Sequence, residues 1–102
     1  MLAQISIFPI GKGESLSEEV SKVVSYIQHE SMRRGIKYEI TSLATLIEGR
    51  DNDVWEVLRG CYDLAKQNSN RVYAAITIDE KKGRDNALYY KKNKIEQLIT
   101  KP

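Results

Sequence analysis

The hydrophobic period of this chain switches from two residues to about 3.6 and back, twice over, before a polar tail begins. That alternation leaves few folds open to 102 residues, a length that suits one domain with one core. Ala3, Ile5 and Ile7 alternate with Gln4, Ser6 and Phe8 at strand spacing. Pro9 has no amide hydrogen to donate and marks the strand end or an edge. Leu16, Val20, Val23, Val24 and Ile27 then recur at helical spacing. Ser15 and Glu18 have capping-box spacing, and Gly35 suits the left-handed residue that ends a helix.

Tyr38-Glu39-Ile40-Thr41 and Thr45-Leu46-Ile47-Glu48 read as two short strands folded back at Ser42-Leu43. A second helix is expected from about Val54 to Gln67, with Val54, Val57, Leu58, Cys61, Leu64 and Ala65 as its apolar stripe. Asp53 and Glu56 have cap spacing at its start. Gly60 costs that helix about 1 kcal/mol relative to Ala, which close packing against the sheet would explain. Trp55 is expected to pack, Cys61 to be an inert core thiol and His29 to lie on the surface. Arg71–Asp79 is the clearest strand, with Val72, Ala74, Ile76 and Ile78 on one face and Tyr73, Ala75 and Thr77 on the other. A charged loop leads into a helix over residues 87–100, whose stripe of Leu88, Ile95, Leu98 and Ile99 is too thin for a core helix.

The order strand, helix, strand, strand, helix, strand, with an appended helix, points to a ferredoxin-like α+β sandwich over residues 1–102. Its two crossover helices cover one face of a four-stranded antiparallel sheet. By alternation the other face carries Gln4, Ser6, Phe8, Glu39, Thr41, Thr45, Ile47, Tyr73, Ala75 and Thr77. That half-polar set of mostly small residues suits burial against a second subunit around a small polar ligand.

Composition removes several classes of function. Sixteen basic and 14 acidic residues leave a net charge of +2, too little to imply nucleic acid. Gly11-Lys12-Gly13 lacks the frame of a phosphate loop and reads as a turn. A lone cysteine fits a reducing, cytoplasmic setting, and no apolar run has membrane-spanning length. No Ser/His/Asp set, Cys/His pair or metal-ligand cluster is present, so the chain reads as a non-enzyme without metal or cofactor. An RNA-binding domain of this topology would stack bases on strand aromatics, but the basic-Gly-aromatic signature is missing. A structural or regulatory oligomer without ligand also fits the half-polar face.

Ile5-Ser6-Ile7-Phe8-Pro9-Ile10-Gly11, Tyr38-Glu39-Ile40-Thr41, Thr45-Leu46-Ile47-Glu48-Gly49 and Arg71-Val72 leading to Ile76-Thr77-Ile78-Asp79 resemble, in order and spacing, a known family. It is the group of small ferredoxin-like proteins similar to thiamine- or hydroxymethylpyrimidine-binding proteins, and the likeness covers about residues 3 to 82. Ser42-Leu43-Ala44 departs from its usual Pro-hydrophobe-Gly turn, and the Lys- and Tyr-rich tail departs as well. The resemblance implies homodimers or homotetramers paired through sheet faces or edges. It also implies a thiamine-type ligand, and six residues offer the matching chemistry. Glu48 would accept from the pyrimidine amine, and Thr41 or Thr45 would donate to a ring nitrogen. Phe8 or Tyr73 would stack on the ring, and Glu39 would balance a thiazolium cation. Each residue also has an ordinary reading, as strand, packing or helix-capping residue.

Overall fold

The computed structural model describes residues 1–11 and 16–100. Its elements are β1 Leu2–Pro9, α1 Leu16–Arg34, β2 Lys37–Ile40, β3 Thr45–Glu48, α2 Asp51–Ala65, a 3₁₀ turn Lys66–Asn68, β4 Val72–Asp79 and α3 Ala87–Thr100. The strands form one antiparallel sheet in the order β2-β3-β1-β4, the ferredoxin-like arrangement with β1 inside. Alternation along β1 buries Ala3, Ile5 and Ile7 against α1 and α2. Val23 and Ile27 of α1 and Val54, Val57, Leu58 and Cys61 of α2 complete that core. Burial raises the Cys61 thiol to about 12, so it stays protonated and unreactive near neutral pH.

The end of α1 follows from Gly35, whose φ of +68° lets the Ile36 amide donate back to the Ser31 carbonyl at 2.9 Å. The capping box foreseen on Ser15 lies outside the described residues. α2 starts three residues earlier than its apolar stripe suggests, with Arg50 as N-cap and no side-chain cap. Asp51 and Asp53 therefore lie inside the first turn, where a carboxylate complements the positive helix end. Asp53 also accepts from Arg34 at 2.9 Å, tying the end of α1 to the start of α2.

Three expectations are corrected. Gly60 faces Tyr26 of α1 rather than the sheet, and a Cβ there would lie 1.8 Å from the Tyr26 hydroxyl oxygen. The missing side chain is thus a condition of helix–helix contact. Trp55 is 52% exposed, because the α2 stripe that meets the sheet is already filled by Val54, Leu58 and Cys61. Ala74 and Ile76 of β4 are also exposed, since the helices cross over β1 and leave this edge strand uncovered.

Gly60→Ala should therefore destabilise the protein by about 1–3 kcal/mol through overpacking. In a Tyr26→Ala background the same change should stabilise it by about 1 kcal/mol, the ordinary helix preference for alanine. Denaturant melts of the four proteins check this. A cost independent of Tyr26 would contradict the contact.

Candidate functional site

The face of the sheet away from the helices carries Leu2, Gln4, Ser6 and Phe8 from β1 and Tyr73, Ala75, Thr77 and Asp79 from β4. Glu39 of β2 lies beside Leu46 of β3 on the same face. Thr45 and Ile47 do not, contrary to the alternation expected from sequence. They sit opposite Ile5 and Ala3 and are buried on the helix side. The hairpin explains the inversion: Ile40 and Thr45 are direct partners and share a face, so odd-numbered residues face outward in β2 but inward in β3. Thr41 leaves the sheet altogether. Its hydroxyl donates to the Ala44 carbonyl at 2.6 Å and accepts from the Ala44 amide at 3.1 Å, holding the turn together.

Glu48 is the buried charge of this region, 6% exposed. Its Oε2 accepts from the Ala87 amide at 2.7 Å and its Oε1 from the Leu88 amide at 2.9 Å. The carboxylate is a cap, as one reading of the sequence allows, but for α3 rather than for the helix next in sequence. A strand end thus satisfies two of the orphan donors of a helix about forty residues away. Asn86, at φ +62°, brings the chain into that turn and accepts from Lys37, whose ammonium lies 5.9 Å from the Tyr89 ring centre. Lys91 pairs with Asp79, and Lys92 stands 3.8 Å from Glu39. Beyond Leu88 every described residue of α3 is exposed, so the helix is moored only by its first turns.

Between that mooring and the sheet lies a groove of about 440 Å³. Its floor is Leu2, Leu46 and Leu88; Gln4 and Thr77 supply neutral polar groups, and the carboxylates of Glu39 and Asp79 flank it. The Gln4 amide donates weakly to the Thr77 hydroxyl at 3.4 Å, leaving its remaining donor and acceptor capacity for a ligand. Lys91, then Arg84, hydrogen-bond Asp79 and hold its carboxyl below the usual range. Lys91 and Lys92 also line the groove beside those carboxylates, so its charges balance and it is chemically a slot for a flat, partly apolar molecule.

The six residues singled out from sequence are not gathered at one place. Glu39 lines the groove. Phe8, Thr41 and Thr45 line a cleft of about 230 Å³ between α1 and the β2–β3 turn. Glu48 borders a charged recess of about 840 Å³ at the end of the sheet. Tyr73 stacks on Phe8 with ring centres 5.3 Å apart, on the sheet face but outside all of these hollows. Gln4, Thr77 and Asp79 were missed as groove residues. The signal for them was present in the alternation of β1 and β4. What sequence could not show was that α3 folds back over that end of the sheet. Among the described residues no group of three or more His, Cys, Asp or Glu is placed to hold a metal ion, and no helix is long and apolar enough to cross a membrane.

Comparison with known proteins places this geometry among relatives. The model of the thiamine-binding protein family matches residues 3–96. A UPF0045 protein of Methanocaldococcus jannaschii is 26% identical over 98 residues, covering 96% of this chain and 94% of that protein. The UPF0045 protein YqgV of Bacillus subtilis is 30% identical over 99 residues, covering 95% and 92%. The crystal structure of the hypothetical M. jannaschii protein superposes with a TM-score of 0.81 at 26% identity over 94% of this chain and 95% of that one. A Thermotoga maritima structure, assigned provisionally to thiamine biosynthesis or salvage, superposes with a TM-score of 0.74 at 20% identity over 95% and 96%. That second likeness speaks to the fold alone.

The cap on α3 generates an expectation of its own. Glu48→Gln keeps one acceptor but sets an NH₂ group against a backbone amide. Losing a charge-assisted bond is worth on the order of 1.5–3 kcal/mol, so hydrogen exchange at the Ala87 and Leu88 amides should quicken by roughly ten- to a hundredfold. Unchanged protection at both amides would contradict the capping role.

Proposed function

The chain belongs to the thiamine-binding protein family, and we propose that it binds thiamine or a related aminopyrimidine without catalysis, as a sheet-paired oligomer. The observation that carries the ligand reading is the groove on the open sheet face, where two carboxylates flank an apolar floor. Its volume of about 440 Å³ falls within the range of roughly 300–1,000 Å³ common for small-molecule sites. An aminopyrimidine offers an amine donor beside a ring-nitrogen acceptor, and the Gln4 side-chain amide is the complementary pair. Glu39 and Asp79 suit a thiazolium cation, which would displace the ammonium groups of Lys92 and Lys91 from them. In the free chain those lysines pair with the two carboxylates.

The oligomer is supported by the state of β4. The strand lies at the sheet edge with Tyr73 52% and Ile76 43% exposed. The chain exposes 7194 Å², against about 5,900 Å² expected for a compact monomer of this mass. The Ile10 amide donates to the Arg71 carbonyl across β1 and β4, so the even-numbered residues of β4 turn their N–H and C=O groups outward. Two copies paired antiparallel about Ala75 would join Val72 with Ile78 and Ala74 with Ile76. The same register sets Arg71 of one copy against Asp79 of the other. That arrangement satisfies an open edge which would otherwise invite aggregation.

Calorimetric titration tests the ligand reading. Wild-type protein should bind thiamine and hydroxymethylpyrimidine. Glu39→Gln should weaken thiamine roughly fivefold, about 1 kcal/mol for a partly exposed ion pair, and leave the uncharged fragment unaffected. Gln4→Leu should weaken both. No heat with either compound on the wild type would remove the proposal. Light scattering tests the assembly: wild type should be at least dimeric at micromolar concentration, and Ala75→Arg should make it monomeric by bringing like charges together at the two-fold axis. A monomeric wild type would contradict it.

A further inference from the structure

α2 sits to one side of the helical layer. α1 packs on β1 and β2, α2 packs on β1, and β4 lies on the far side of β1 from β2. Asp53 and Gly60 mark the flank of α2 that meets α1. At about 100° per residue, Trp55 and Tyr62 stand roughly 140–180° round the helix from both. They face away from α1, on the β4 side. Trp55 is 52% and Tyr62 42% exposed, and beneath that flank Ala74 and Ile76 of β4 are uncovered as well. Helix and edge strand thus form an open, largely apolar corner.

The flank is symmetric about its own centre. α2 begins beyond Glu48, which pairs with Leu2 and so is level with Asp79, and it ends before Val72, which pairs with Pro9. Its middle residue, Leu58, therefore stands level with the middle of β4. Asp51, Trp55, Arg59, Tyr62 and Lys66 follow one another along the flank in steps of three and four. A two-fold axis through the centre sets Asp51 opposite Lys66 and Trp55 opposite Tyr62. Such self-complementarity is what a contact between identical surfaces requires. Arg59, near the centre, donates to Asp63 of its own helix at 3.2 Å and so brings no bare charge to the axis.

We propose, resting on the β4 pairing above, that this flank of α2 is the second layer of the same interface, with a second copy of the chain as its occupant. Trp55 of each copy packs on Tyr62 of the other above the joined Ala74 and Ile76, and Asp51 of each pairs with Lys66 of the other. Spacing favours aromatic residues here. Each α2 rides above its own β1, so the two helices stand about 14 Å apart, three strand spacings. Direct helix packing needs roughly 8–10 Å, and large flat side chains bridge the difference. Area favours a second layer too. The edge of the eight-residue β4 is a strip about 26 Å long and roughly 10 Å deep, a small part of the about 800 Å² per partner found in stable interfaces. Within the chain Asp51 and Lys66 have only loose partners, the Met1 amine at 3.7 Å and Asp63 at 3.6 Å.

Trp55 is the one tryptophan of the chain, so its fluorescence reads the proposal on unmodified protein. In the dimer, wild-type emission should lie at shorter wavelength than in monomeric Ala75→Arg, with acrylamide quenching roughly twofold weaker, and it should move to longer wavelength on dilution. Trp55→Ala should weaken the dimer roughly tenfold or more by sedimentation equilibrium. D51K and K66E alone should each weaken it roughly fivefold, because both charge pairs across the two-fold then repel. Mixed in equal amounts, the two variants should associate again at wild-type strength, since both pairs of the mixed dimer are opposite in sign. Asp51 and Lys66 lie about 22 Å apart along the helix, so no contact within one chain can produce that rescue. A dimeric wild type quenched as readily as Ala75→Arg, or no rescue on mixing, would overturn the proposal and leave the β4 pairing standing. A monomeric wild type would overturn both. The wild-type dilution series decides even if a variant does not fold.

Discussion

β1 runs eight residues through the middle of the sheet, fully matched by β4 on one side and only over its first four by β3 on the other. That mismatch in strand length shapes both ends of the molecule. At the matched end, β3 finishes on Glu48, whose carboxylate is thereby placed to receive the first amides of α3. At the unmatched end the sheet opens into a cleft bounded by α1 and the β2–β3 turn. Hydrogen bonding that is continuous in one direction and interrupted in the other gives a small domain two recesses of different chemistry. One has an apolar floor flanked by carboxylates and lysines, the other is lined with apolar side chains around a strand edge.

The helical layer is closely packed for a local reason. α1 and α2 approach closely because Gly60 has no side chain to meet Tyr26, and Arg34 links the same two helices through Asp53. Burial also raises the Tyr26 hydroxyl above its ordinary range, keeping it un-ionised at that contact. By contrast, α3 depends on Glu48 and on lysines reaching back to Glu39 and Asp79. Exposed ion pairs of that kind contribute little individually. The helix that forms one wall of the groove is therefore held chiefly at its first turn, through Glu48 and the burial of Ala87 and Leu88.

Much of the fold was legible because the periodicities are clean. Ala3, Ile5 and Ile7, the stripe of α2 and the turn at Gly35 lie where their spacing puts them. The site was less legible, for two physical reasons. Alternation gives the face of each strand only relative to its own residues. The pairing of Ile40 with Thr45 inverts the phase across the hairpin, and no single residue announces that. Long-range capping is also invisible to local pattern. Glu48 has the right chemistry for a ligand contact and for a cap, and only the position of Ala87 and Leu88 shows where its oxygens are engaged. Glu39 was recognisable as a carboxylate on the open face. Its neighbours Gln4, Thr77 and Asp79 acquire meaning only once α3 lies across them.

The central claim is that a thiamine-type ligand sits in the groove between the open sheet face and α3. Mapping amide chemical shifts during a thiamine titration tests it most directly, because it reports place as well as binding. The expected result is a contiguous set of perturbations at Leu2, Gln4, Glu39, Leu46, Thr77, Ala87 and Leu88. Saturable binding whose perturbations lie wholly outside that set would contradict the claim.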